Sequence, residues 1–237
     1  MKGAKKNSNK KDKPLDGAAK NSIYEEAIKD HMDVFGSSIF EKRRIVFLNS
    51  LEDDIFSEDG GYGEITSKSA EKVYRDILSF YLEDKNKPIY LFIVNNLGGD
   101  FYGMLSVYEL IENIKKTTPV YTFVFGYAYS AAAFLFLSGS KRFITPQSRL
   151  MFHYGKMEIQ GDPRATKRWF LESEKIVSLQ EAMLLQHYRP GLKDKKTKIK
   201  EIKNILSSDT VFIGTESVDL GFATEFFDVD VLPKGTI

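Results

Sequence analysis

The sequence predicts an α/β fold. Three features carry that prediction: short, near-continuous apolar runs of the kind that form strands buried on both faces, stretches of helical periodicity between them, and an apolar content of 42% in 237 residues, enough for one sizeable core. Strand and helix alternate through most of the chain, as in a largely parallel sheet flanked by helices.

Residues 1–22 are rich in lysine, asparagine, glycine and proline and carry almost no apolar side chains. They read as a disordered basic tail that cannot offset the entropy of ordering. Residues 23–43 read as a helical linker, with YEEAIKDHMDVF as its helix and a polar break at Gly36-Ser37-Ser38. The folded domain is expected over 44–237. Its first buried strand is RIVFLN (44–49), followed by an acidic, glycine-rich loop that ends at a helix N-cap, Thr66 or Ser67, ahead of SAEKVYRDILSFYLEDK. PIYLFIVN (88–95) suits a central strand, and after Gly98-Gly99 the segment FYGMLSVYELIENIKK is a helix. Next come a strand VYTFVFG ending at Gly126, an alanine-rich helix from about Ser130, and strands RFIT and RLMFHYG. The C-terminal third brings a long helix over about 163–190 stopped by Pro190-Gly191, a lysine-rich helix KKTKIKEIKNIL, and a compact ending, DTVFIGTESVDLGFATEFFD.

Bulk chemistry narrows the function. Lysine and arginine number 34 against 33 aspartates and glutamates, a net charge of +1, so the global basic excess of a nucleic-acid binder is missing. The absence of cysteine removes disulfides, thiolate nucleophiles and cysteine-ligated zinc, and fits a reducing compartment. The N-terminus lacks an apolar signal-like core, and no stretch approaches the roughly 20 apolar residues that cross a bilayer. The expected location is cytoplasmic, with neither nucleic acid nor membrane as partner.

The chemistry concentrates where VYTFVFG turns into the alanine-rich helix. Ser130 sits at that bend, its hydroxyl at a helix N-terminus where unpaired amides favour developing negative charge. Nucleophile and simple N-cap are equally consistent with this segment alone. His153 shifts the balance: its strand can lie beside the strand that carries Ser130, and its near-neutral reference pKa suits a general base. His31 and His187 fall in segments read as peripheral helices, where a structural histidine is expected. Metal binding at His153 has no second ligand at suitable spacing, and a satisfied core histidine is the plain alternative. Gly98-Gly99, just past a central strand, lets backbone amides face a ligand, as an oxyanion hole requires; the Gly99 and Ala131 amides are the expected donors, and a tight turn is the alternative.

In this order the segments resemble the Clp protease proteolytic subunit family, from about Arg44 to Asp228. The family's NSPGG appears as Asn95-Asn96-Leu97-Gly98-Gly99, its GxAASMGAFLL as GYAYSAAAFLFL, and its PNSRVMIHQP as Pro146-Gln-Ser-Arg-Leu-Met-Phe-His153. The resemblance, through DTVFIGTESVDLG, also places a triad acid on Asp209, a choice the many other carboxylates would not have suggested. It implies a crotonase-like ββα spiral with a protruding handle helix, a serine endopeptidase with catalytic Ser130, His153 and Asp209, and substrate contacts at Gly98, Met157 and Glu158. It further implies a homo-oligomeric ring, a heptamer or double heptamer, fed with unfolded protein by an AAA+ unfoldase. No cofactor is expected, ATP being used only by that partner.

The chain departs from the family pattern at several points. The axial N-terminal segment is not recognisable in residues 1–35, the arginine before the triad acid is Ser208, the Gly-Gly of the substrate-aligning strand is Met157-Glu158, and the methionine after the nucleophile is Ala131. Three other settings share parts of the pattern. A catalytically inactive ring subunit would have lost one of the triad side chains. A crotonase-fold acyl-CoA enzyme would not need Ser130 and His153 together. A phage-type head-maturation protease would keep the triad and act without ATP.

Overall fold

In the computed structural model, β5 (Val120–Tyr129) is the spine of the sheet. The structure describes residues 38–48, 63–155 and 161–233; the expected basic tail, the helix at 24–35 with His31, most of the acidic loop, and Met157 and Glu158 lie outside these. The other strands are β1 (Ile45–Leu48), β2 (Glu64–Ile65), β3 (Ile89–Asn96), β4 (Gly98–Gly99), β6 (Lys141–Ile144), β7 (Arg149–Phe152), β8 (Thr210–Ile213) and β9 (Glu225–Phe226). The helices are α1 (Ser38–Lys42), α2 (Ser67–Glu83), α3 (Phe101–Ile114), α4 (Ala131–Leu137), α5 (Pro163–His187), α6 (Lys195–Ser207) and α7 (Gly214–Asp219).

The main sheet runs β1-β3-β5-β6-β9, every pair parallel, and the α/β class is as the sequence predicts. One edge of β5 serves two partners in turn. Tyr121–Val124 pair with β6, and Tyr127–Tyr129 pair with β7, which carries β8 antiparallel on its far side. The expectation that this strand ends at Gly126 is therefore corrected. Gly126 has φ +73°, and a Cβ there would stand 1.8 Å from Asn95 Oδ1, so the glycine makes room for a neighbouring side chain while the strand continues. The β3–β5 register shifts between Val94 and Asn96 at the same level, the signature of a bulge.

One face of the sheet is packed by helices. Thr66 caps α2, with Ser69 returning the bond to the Thr66 amide in a capping box. Every residue of α4 is buried, which is why its sequence, AAAFLFL, has no polar face. The opposite face is aromatic: Phe92 stacks on Phe123 at 4.5 Å between centroids, and Phe123 on Phe143 at 5.0 Å. Each such pair contributes about 0.5–1.5 kcal/mol beyond its buried area. The buried Arg142 guanidinium binds the Phe222 and Gly221 carbonyls at 2.7 and 3.2 Å, tying the C-terminal segment to β6. The long helix α5 ends at His187; Tyr188 is extended and Arg189, left-handed at φ 42°, precedes Pro190, which disfavours helix at the residue before it.

Candidate active site

Ser130 occupies the bend between β5 and α4 with φ 51° and ψ −126°, a conformation an L-residue adopts only under constraint. The strain costs on the order of 1–3 kcal/mol and must be held by its surroundings. Two features hold it. The Ser130 amide donates to Met151 O at 2.8 Å across the β5–β7 seam, and Gly98 lies against the bend without a side chain. The Ser130 side chain makes no capping bond to α4. Its Oγ stands 2.7 Å from His153 Nε2, so the hydroxyl faces the imidazole rather than the amides of α4.

Register brings the other two side chains together. β7 and β8 pair antiparallel, with Phe152 opposite Thr210 as the last matched residues. His153 follows Phe152 and Asp209 precedes Thr210, so the two face each other just beyond the ladder. Their closest approach is His153 Nδ1 to Asp209 Oδ1, 3.0 Å. At that distance the pair is in contact without meeting the geometry of an aligned hydrogen bond. Asp209 itself is left-handed at φ 44°, a region aspartate tolerates better than most residues. An ionised carboxylate accepts only, which favours the imidazole proton on Nδ1 and leaves Nε2 to accept from the Ser130 hydroxyl.

The glycine pair lies within reach of this bend. Gly98 and Gly99 form β4, parallel to Glu64-Ile65 of β2, with φ +95° and +131°. A Cβ on Gly98 would stand 2.9 Å from the Ala131 nitrogen, and one on Gly99 would strike Ile65 O at 2.4 Å. Ala131 is the first residue of α4, so its amide has no intrahelical partner. The Gly98 amide is turned to Asn96 Oδ1 at 2.8 Å and is spent there.

The histidines differ as their surroundings do. His187 closes α5, half-buried with its Nε2 inside, where desolvation, then the Arg142 and Lys115 cations, push its pKa down to about 3, so it is neutral. It is a packed structural histidine. Among the described residues no three histidine, aspartate or glutamate side chains stand together as a metal site, and no helix is long and apolar enough to cross a membrane. Sequence reasoning missed Gln180, a buried polar residue on α5 whose carboxamide meets the His153 carbonyl and the Gly155 amide, the backbone groups on either side of Tyr154. One glutamine in a helical run gives no local signal of that contact.

The family described as Clp protease matches residues 36–230. The chain is 28% identical over 186 residues to the ATP-dependent Clp protease proteolytic subunit 3 of Frankia casuarinae, spanning 78% of this chain and 76% of that one. It is 36% identical over 101 residues to proteolytic subunit 2 of Treponema denticola, spanning 42% of this chain and 49% of the relative. With subunit 2 of Synechococcus sp. it shares 32% identity over 121 residues, 50% and 58% of the two chains.

Proposed function

The chain belongs to the Clp protease family of serine peptidases, and from that premise we propose that it is a serine endopeptidase working through an acyl-enzyme at Ser130. The Ser130 Oγ attacks a peptide carbonyl carbon as His153 Nε2 takes its proton; the C–N bond then breaks, and the imidazolium returns the proton to the departing amine. Water repeats the sequence in reverse, releasing the acid and restoring the hydroxyl. Asp209 stabilises the imidazolium, and the Gly99 and Ala131 amides receive the negative charge of the tetrahedral intermediates. The observation that carries this reading is the 2.7 Å approach of His153 Nε2 to a serine oxygen that caps nothing. An inactive subunit is disfavoured by the same geometry, since all three side chains are present and in contact.

The relatives are named as ATP-dependent proteolytic subunits. By that likeness this chain assembles with copies of itself into a chamber and receives unfolded protein from an ATP-driven unfoldase. Trp169, Phe170 and Leu171 on α5 support self-assembly, each being about half exposed, more apolar surface than one helix turn usually leaves in water.

The test is fluorophosphonate labelling of the purified full-length chain, with the modified residue located by mass and the assembly sized in parallel. The label is expected on Ser130 of a multi-subunit particle. Ser130→Ala is expected to remove it and lower short-peptide turnover by about 10³-fold or more, leaving assembly intact. Unchanged turnover in Ser130→Ala would overturn the peptidase; a monomer at all concentrations would overturn the chamber.

A further inference from the structure

His153 lies one residue beyond β7, just past the last matched pair of the β7–β8 ladder, Phe152 with Thr210. From its carbonyl onward the backbone is met by two helices. Gln180, almost fully buried in the C-terminal half of α5, donates from Nε2 to His153 O at 3.3 Å and accepts at Oε1 from the Gly155 amide at 3.4 Å. Between those anchors the Tyr154 amide donates to Leu206 O in the last turn of α6 at 2.8 Å, and the Tyr154 hydroxyl donates to Glu181 Oε1 at 2.7 Å. Burial and the Glu181 carboxylate push the Tyr154 phenol up to about 12, so it remains a neutral donor. The three residues from His153 to Gly155 are thus fastened to α5 and α6, and the Gln180 carboxamide fastens both ends.

We propose that Gln180 is a positioning residue for the peptidase reaction: by holding the His153 carbonyl and the Gly155 amide, the two backbone groups that flank Tyr154, it sets the imidazole between Ser130 Oγ and Asp209 Oδ1. The role rests on the peptidase reading above and adds to it a residue that touches neither substrate nor reacting atoms. A carboxamide suits the place because it donates and accepts at once, whereas methionine does neither and an ionised glutamate only accepts. A small rotation of the His153 peptide would be levered along the side chain into a displacement of Nε2, and a misplacement of about 1 Å costs roughly 10²-fold in rate.

The experiment compares full-length Gln180→Met and Gln180→Glu with the parent and with Gln186→Met, an exposed position one turn and a half further along α5. For each, kcat and KM on a short peptide and the fluorophosphonate labelling rate at Ser130 are measured per folded molecule. Both Gln180 variants are expected to lose about 10- to 100-fold in kcat and in labelling rate with KM changed less than about twofold, while Gln186→Met matches the parent. A merely structural role would lower the melting temperature and leave the rates per folded molecule alone, and that result overturns the proposal. A parent that is not labelled at Ser130 sinks the peptidase reading itself; a labelled parent whose Gln180 variants label equally fast sinks only the clamp. Should Gln180→Met fail to fold, Gln180→Glu decides by the same comparison, and failure of both to fold counts as a structural role and against the clamp.

Discussion

Gly98 lies directly against Ser130: a Cβ on the glycine would stand 2.7 Å from the Ser130 Cβ, 2.6 Å from Tyr129 O and 2.9 Å from Ala131 N, and its φ of +95° is one that side chains resist. The strained serine bend and the glycine strand are therefore one unit, and either can relax only by moving the other. Gly98→Ala is expected to destabilise the protein by about 2 kcal/mol or more, from backbone strain and the clash together, lowering the melting midpoint by roughly 4–8 °C. Labelling of Ser130 should fall with it, because the bend must shift. Gly191→Ala, where a Cβ meets nothing within 4 Å, is the matched control and should change neither. A Gly98→Ala protein that melts and labels like the parent would show that the bend tolerates the methyl group.

Asp209 meets His153 at 3.0 Å, but its side chain is 57% exposed and the contact lacks the geometry of an aligned hydrogen bond. Replacing a buried, well-aligned triad carboxylate by its amide costs about 10⁴-fold in kcat. For this solvated contact Asp209→Asn should cost less, on the order of 10²-fold, with the melting temperature nearly unchanged, since exposed pairs contribute little to stability. Steady-state turnover of a short peptide measures it. A larger loss at Asp219→Asn or Asp228→Asn than at Asp209→Asn would assign the carboxylate role to another part of the C-terminal segment.

The residues themselves explain which features could be read in advance. Apolar runs gave the positions of β3 and β5 because a strand buried on both faces has little choice of side chain, and α4 announced itself through AAAFLFL for the same reason. The surroundings of Ser130 could not be read in its own segment, since neither its left-handed φ nor its histidine contact leaves a local pattern. Asp209 came through a family likeness; what sets it opposite His153 is the β7–β8 register, a relation between residues 56 positions apart that no local pattern displays. Gly126 misled because glycine is depleted in strands and reads as a break, whereas here it sits inside one and yields to the Asn95 side chain. Gln180 was invisible, as its importance lies in which carbonyl and amide it reaches.

His187 supplies the clearest pH dependence. Its pKa is held at about 3 in the folded chain against 6.5 for a free side chain, by burial first and then by the Arg142 and Lys115 cations, and its buried Nε2 has no hydrogen-bond partner. Well above pH 6.5 the imidazole is neutral whether folded or not and contributes no slope. Below it the unfolded chain takes up a proton that the folded chain refuses, so stability falls with pH until the folded group also protonates near 3. The full gap is worth roughly 4–5 kcal/mol at most, and about 2 kcal/mol of it should be gone by pH 5. Carboxylates titrate over the lower part of the same window, so the informative quantity is the difference between parent and His187→Leu. The variant should lose about 2 kcal/mol less than the parent between pH 7 and pH 5, a melting-temperature difference of roughly 4–8 °C that grows as the pH falls. Parallel pH curves for the two proteins would mean that the imidazole finds a proton acceptor or water in the folded state, and that its burial does not govern acid stability.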